Sequence, residues 1–334
     1  MSQTQDIPAF VNVALYGANG HQIQNLLAET PLARLVATAE FPLEKIPTSL
    51  PGNPEVRSYR NLDEILDDPR VELVSLCSPR RCDQAADTIR ALRAGKHVYA
   101  EKPCAMEEAD LEVILQVSRE TGRLFREMAD TAFWQPYETM RRIVQSGRIG
   151  RVVQVTAEKS YPYHDGRPQD EDVDGGLIQQ SAIHAIRMVE HVAGVRVQSV
   201  QARETTAGNP VPEGGLRMAA SLMMTLEGGG LASITANYLN PRGTGTWGYE
   251  SLRIYGDQGM IESTEGGQRT RLVIGDQDHG ALKVETPNFN YLEAYLKTIL
   301  GKESMPLTLE EEVNPTRWAI RARKSAMALG QVMS

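Results

Sequence analysis

Residues 71–103, VELVSLCSPRRCDQAADTIRALRAGKHVYAEKP, constrain the fold more than any other stretch of this chain. They read as strand, helix and strand, ending in the charged tripeptide Glu101-Lys102-Pro103. VELVSLC is a mostly apolar run of the kind buried on both faces of a parallel sheet. Ala86, Ile89, Ala91 and Leu92 give the following helix one apolar side, and HVYA delivers Lys102 to the carboxyl end of the next strand. Parallel strands joined this way lie in one sheet, and ligands of open α/β sheets sit outside the carboxyl ends of the strands. A lysine at that position faces a bound molecule; the plainer reading is a surface ion pair at a strand exit.

The N-terminal segment FVNVALYGANGHQIQNLLAE predicts a strand (Val11, Val13, Leu15), a glycine turn at Gly17-Ala18-Asn19-Gly20 followed by His21, and an amphipathic helix carrying Ile23, Leu26 and Leu27. Such a turn lets backbone N–H groups approach a pyrophosphate at the helix N-terminus. Against the pattern G-x-G-x-x-G, Gly17 fits the first position, while Asn19 and Gln22 stand at the second and third. Asn tolerates a left-handed backbone better than most residues, so the turn survives the change. A second apolar strand, LVATA, ends at Glu40, at a spacing that suits the acid that holds an adenine ribose 2′-OH.

The glycine turn, a strand ending in Ser78-Pro79, the string AGKHVYAEKP and, further on, DGGLIQQSAIHAIR together resemble the Gfo/Idh/MocA oxidoreductases, relatives of glucose-fructose oxidoreductase and inositol 2-dehydrogenase. The resemblance covers nearly the whole chain, and AGKHV-x-x-EKP is its most specific part. It implies an N-terminal Rossmann domain binding NAD(P), with Gly17, Ala18, Asn19, Gly20, His21, Glu40, Ser78, Pro79, Glu101 and Lys102 at the cofactor. It also implies a C-terminal α+β domain whose large, mostly antiparallel open sheet mediates assembly. The substrates it implies are sugars, cyclitols or related hydroxyl and carbonyl compounds.

Length and charge agree with this picture. A chain of 334 residues is long for one core and ample for two domains. The boundary is expected near Glu127, giving a dinucleotide-binding domain 1–127 and a substrate-binding and oligomerisation domain 128–334. In the second, VVQVTAEKSY and the runs 197–203, 218–226, 231–238, 251–255 and 271–274, punctuated by glycine clusters, predict a largely antiparallel sheet. Its open face is expected to carry Leu222, Met224 and Ile234 and to pack as a homodimer or homotetramer. A net charge of −8 without a basic run argues against nucleic acid as partner and for a small-molecule substrate. The opening MSQTQDIPAF has no leader-like pattern and no apolar run approaches a membrane span, so the expected location is cytoplasmic. Cys77, Cys82 and Cys104 are read as reduced thiols. No His or Cys pair stands at metal-ligand spacing, so no metal is expected.

The chemistry of the second domain centres on the helix after Asp174-Gly175-Gly176. Gln180, His184, Arg187 and His191 recur at i, i+4, i+7 and i+11, which predicts one polar helix face. The resemblance puts His184 beside the nicotinamide. Hydride transfer needs a base for the O–H proton and a donor for the reacting oxygen, roles assigned to His184 and Lys102. The family usually carries an aspartate four residues before this histidine; here Gln180 stands there, and an amide can orient a hydroxyl but accepts no proton. Tyr163 and Arg167 in the loop KSYPYHDGRPQDED, and Trp247 in NYLNPRGTGTWGYE, are the further candidate substrate contacts; the plainer readings are a solvated loop and a ring covering the sheet. NAD is expected over NADP because a 2′-phosphate would meet Glu40. Two other functions fit the same residues: a nucleotide- or sugar-binding regulator without turnover, and an NAD-dependent glycosidase.

Overall fold

The computed structural model describes residues 10–50, 56–128, 130–284 and 286–331. The opening nine residues, on which part of the leader reading rests, lie outside the described residues. The backbone divides into two compact units, Met1–Met128 with Asn290–Val313, and Ala129–Phe289 with Asn314–Ser334. The sequence reading kept 128–334 together, whereas 290–313 groups with the first unit. The reason is local: the Tyr295 hydroxyl, on the helix Tyr291–Ile299, donates to the carbonyls of Val98 and Leu124, and Tyr291 donates to the buried Glu312.

The first unit holds six parallel strands, β1 Val11–Tyr16, β2 Ala33–Ala39, β3 Arg57–Tyr59, β4 Leu73–Leu76, β5 His97–Ala100 and β6 Phe125–Glu127, in the order β3-β2-β1-β4-β5-β6. β1, β4 and β5 are almost wholly buried, in keeping with their mostly apolar sequences. The strand order reverses between β1 and β4, so the crevice at their carboxyl ends is where such sheets take a ligand. Helix Glu108–Thr121 stops at Gly122 in the left-handed region, and helix Leu62–Leu66 is capped by Asn61, which accepts from the Glu64 amide. The Glu64 carboxylate in turn accepts from the Arg60 amide. The helix after the glycine turn is only Gln24–Leu27, much shorter than its apolar pattern predicts.

The second unit is built on eight strands, β7 Val152–Ser160, β8 Val197–Thr205, β9 Ala219–Leu226, β10 Leu231–Asn237, β11 Tyr249–Gly256, β12 Gly259–Thr264, β13 Arg269–Ile274 and β14 Gln277–Gly280, in the order β14-β13-β12-β11-β7-β10-β9-β8. All neighbours are antiparallel except β10 beside β7. The strict alternation of β9 and β10 turns Leu222, Met224 and Ile234 inward, where they are 3%, 0% and 1% exposed. The expectation that these three line the open face is therefore corrected by one register position. That face instead carries Ser221, Met223, Thr225, Leu231, Ser233 and Thr235. Among the described residues no helix is long and apolar enough to cross a membrane.

Candidate functional site

In the first unit, Gly17 leaves β1 at φ +71°, and a Cβ there would stand 2.0 Å from the Cys77 carbonyl oxygen that follows β4. Only glycine lets the turn sit this close to the neighbouring strand. Gly20 has φ +110°, and a Cβ would strike the Glu101 side chain at 2.7 Å. Gln22, which breaks the glycine pattern, organises the turn. Its Nε2 donates to the carbonyls of Tyr16, Gly17 and Ser75, each at 3.1 Å, and its Oε1 accepts from the Ser75 hydroxyl at 2.7 Å. A side chain thus does the work assigned to a third glycine, tying the turn to β1 and β4. Ala18, Gly20 and His21 form its exposed rim. The Asn19 amide side chain donates to the Pro79 carbonyl at 3.2 Å, joining the two loops at the crevice.

Glu101 and Lys102, just beyond β5, are each 1% exposed. Their charged groups lie 3.7 Å apart, and His21 Nδ1 is 3.2 Å from the same Glu101 oxygen. Burial alone would raise the Glu101 carboxyl, but Lys102, His21 and Arg81 together hold it down at about 2. The reading of a surface ion pair is excluded by this burial. Glu40 ends β2 in an exposed position, and its Oε1 accepts from the Tyr16 hydroxyl at 3.3 Å. Ser78 is turned inward: its amide donates to Gln84 Oε1 at 2.9 Å and its hydroxyl to Asp87 at 2.8 Å. Gln84, not singled out from the sequence, also donates to the carbonyls of Leu76 and Glu101, and so knots β4 to β5. A dinucleotide fits this crevice on the evidence of its cradle. The two glycines leave the space a Cβ would fill, the rim is exposed, and the exposed Glu40 carboxylate follows β2.

In the second unit the helix after Gly175-Gly176 winds as π over Ile178–Ala182, α over Ile183–Arg187 and π over Met188–Val192. Wider turns break the predicted four-residue polar stripe: Gln180 and His184 are half-buried, whereas Arg187 is 0% and His191 4% exposed. His184 Nδ1 lies 2.9 Å from the Thr131 hydroxyl, a partner that no sequence signal marked. Tyr161 presents its edge to the imidazole at 6.5 Å between centroids and stands 6.4 Å from Trp247, on which His164 stacks at 6.0 Å. Trp247 is 55% exposed and, with Pro162, Arg242, Gly245 and Thr246, lines a cleft of about 230 Å³.

Gln180 Oε1 accepts from the Ser181 hydroxyl at 2.8 Å and from the Tyr238 hydroxyl at 3.2 Å. The Tyr238 hydroxyl is also 3.4 Å from Asp174 Oδ2, so its single proton has two acceptors within reach, the Gln180 amide oxygen and the Asp174 carboxylate. Arg167 is buried, donates to both Asp174 oxygens at 3.3 Å and lies over the Tyr238 ring at 3.9 Å. Thus Gln180, His184, Arg167 and Trp247 lie in one neighbourhood of this unit, while Tyr163 is half-buried in the connecting loop. A larger cleft of about 560 Å³, lined by Thr139, Arg142, Arg148, His279 and Lys283 among others, contains neither Gln180 nor His184. Among the described residues no three His, Cys, Asp or Glu side chains converge as metal ligands.

Comparison with known proteins agrees with both halves of this description. Residues 11–128 match the profile of an oxidoreductase family with an NAD-binding Rossmann fold, and residues 137–262 match the GFO/IDH/MocA C-terminal domain. Myo-inositol 2-dehydrogenase of Thermotoga maritima is 23% identical over 249 residues, which span 73% of this chain and 72% of the relative. Inositol 2-dehydrogenase of Rhizobium meliloti is 26% identical over 275 residues, 80% of this chain and 79% of its own. Levoglucosan dehydrogenase, solved in complex with NADH and L-sorbose, shares the fold with a TM-score of 0.79 at 18% identity, over 96% of this chain and 98% of that one. Matched in both its parts, the chain belongs to the Gfo/Idh/MocA family of NAD-binding oxidoreductases.

Proposed function

We propose that the protein is an NAD-dependent dehydrogenase that interconverts a hydroxyl and a carbonyl on a sugar or cyclitol. The observation that carries this reading is the buried Glu101–Lys102 pair under Gly20. A cation held out of water at the carboxyl end of β5 is kept charged by Glu101 and stands where such sheets take a ligand. Relatives named for inositol, and a neighbour solved with NADH and L-sorbose, support the cofactor and the polyhydroxylated substrate class. A bound nicotinamide would supply the hydride acceptor or donor.

In this reading Lys102 donates a hydrogen bond to the reacting oxygen and stabilises the charge that grows there. Glu101 keeps that ammonium in place. His184 takes the hydroxyl proton at Nε2, the ring nitrogen opposite the one contacted by Thr131, and returns it in the reverse direction. Gln180 orients a substrate hydroxyl, Trp247 covers a face of the ring, and Tyr163 and Arg167 border the substrate. Glu40 accepts from the adenine ribose hydroxyls and repels a 2′-phosphate, which makes NAD the preferred cofactor.

An absorbance screen for NADH over sugars, cyclitols and their acids tests the activity. Turnover with at least one of them is expected. Sugar release without net NADH would indicate a glycosidase, and binding without either signal would indicate a regulator. On the substrate found, Lys102→Ala and His184→Ala each lower kcat by about 100-fold, and wild-type rates in both variants would remove the assignment. Titration with both cofactors tests Glu40, and tighter binding of NADPH than NADH overturns it.

A further inference from the structure

Arg81 follows β4 at the point where the strand order reverses, and it is 2% exposed. Its Nη2 donates to the Asn19 carbonyl in the glycine turn at 2.7 Å. Its Nε and Nη1 are buried and have no hydrogen-bond partner. Among the described residues Arg81 forms no ion pair. A guanidinium carries five donors in a fixed fork. Burying it with most of them unused, and with its counter-charge Glu101 acting only from beyond ion-pair distance, is unfavourable unless something else completes the set.

Two amides of the turn it touches are already engaged. The Gly17 amide is spent on the Ala39 carbonyl at 3.0 Å, and the Asn19 amide points to the Cys77 carbonyl at 3.4 Å. The following helix has four residues, Gln24–Leu27, so few peptide dipoles add up at its N-terminus. These two amides and a one-turn helix offer little positive potential to a pyrophosphate, and a buried cation sits one hydrogen bond from the turn.

We propose that Arg81 is the counter-charge for the pyrophosphate of the bound dinucleotide, its unpartnered N–H groups closing onto phosphate oxygens when the cofactor binds. Guanidinium and phosphate are matched in charge and in fork geometry. This inference rests on the reading of the crevice as a dinucleotide site and adds the residue that pays for its altered glycine pattern.

The test compares two ligands that share the adenosine part and differ in phosphate. ADP-ribose is titrated by calorimetry and adenosine by saturation-transfer NMR, against the unaltered protein, Arg81→Gln and Arg81→Lys. Arg81→Gln is expected to weaken ADP-ribose by about tenfold or more while leaving adenosine unchanged, and Arg81→Lys to recover part of the loss by keeping the charge. Equal ADP-ribose affinity in Arg81→Gln, or equal weakening of both ligands, would overturn the assignment; the second result would mark a merely structural role. Should Arg81→Gln not fold, Arg81→Lys decides: loss of the fork must weaken ADP-ribose by about threefold or more with adenosine unmoved, and equal affinity overturns the proposal. Failure of the unaltered protein to bind ADP-ribose would overturn the dinucleotide reading first and this inference with it, an outcome distinct from the other two.

Discussion

Replacing Glu101 by Gln keeps the shape of the side chain and its hydrogen-bonding capacity but removes the charge that faces Lys102. The carboxyl is held at about 2 against an ordinary 4.5, and at ~1.4 kcal/mol per pH unit this corresponds to about 3 kcal/mol. Both partners are 1% exposed, so little of this is screened by solvent. The cost of leaving one buried partner unpaired, about 3–5 kcal/mol, is of the same size. Because the folded value lies below the unfolded one, the contribution is complete above about pH 4.5 and is lost as the pH falls through about 2. All three tryptophans lie in the second unit, so their fluorescence does not report on this pair. Native-state hydrogen exchange of the β5 amides does. In Glu101→Gln they are expected to exchange about two orders of magnitude faster at pH 7, with the difference constant down to about pH 5 and shrinking below it. Parent-like exchange at pH 7 would refute the pairing as a source of stability.

Gly17→Ala places a methyl group 2.0 Å from the Cys77 carbonyl in a left-handed conformation; NADH affinity by calorimetry should fall by about tenfold or more, and an unchanged Kd would show that the turn does not hold cofactor. Tyr238→Phe removes the hydroxyl between Asp174 and Gln180 and should cost about 1–3 kcal/mol in urea unfolding followed by tryptophan fluorescence, no loss being the contrary result. Gln180→Asp sets a carboxylate one helical turn from His184, so the acid limb of the pH–rate profile should move to higher pH; an unmoved limb in folded variant would mean that position 180 acts on neither imidazole nor substrate. Assembly is expected through the exposed sheet face with Met223 and Leu231, 61% and 47% exposed. Light scattering should give a dimer or tetramer that Met223→Lys with Leu231→Glu dissociates, and a single-chain mass for the parent at micromolar concentration would rule it out.

Local physics made much of this protein legible from its residues in order. Mostly apolar runs gave β1, β4 and β5, and strand-like runs between glycine clusters gave β7 to β11. The tripeptide Glu101-Lys102-Pro103 announced a charged strand exit. Only tertiary structure decided what depends on distant partners. Alternation places Leu222 and Met224 on one face without saying which face is covered, since both assignments satisfy a period of two. Gln22 looked like a defect in a glycine pattern until β1 and β4 brought three carbonyls to its amide. Thr131 and His184 stand 53 positions apart, and Tyr238 lies 58 beyond Gln180, so no spacing rule could pair them. No spacing rule singled out Arg81; folding buried it against the Asn19 carbonyl and left two of its nitrogens without a partner. Sequence periodicity fixes which elements form, because it reflects nearest neighbours along the chain, whereas the state of a buried charge depends on what the fold places around it.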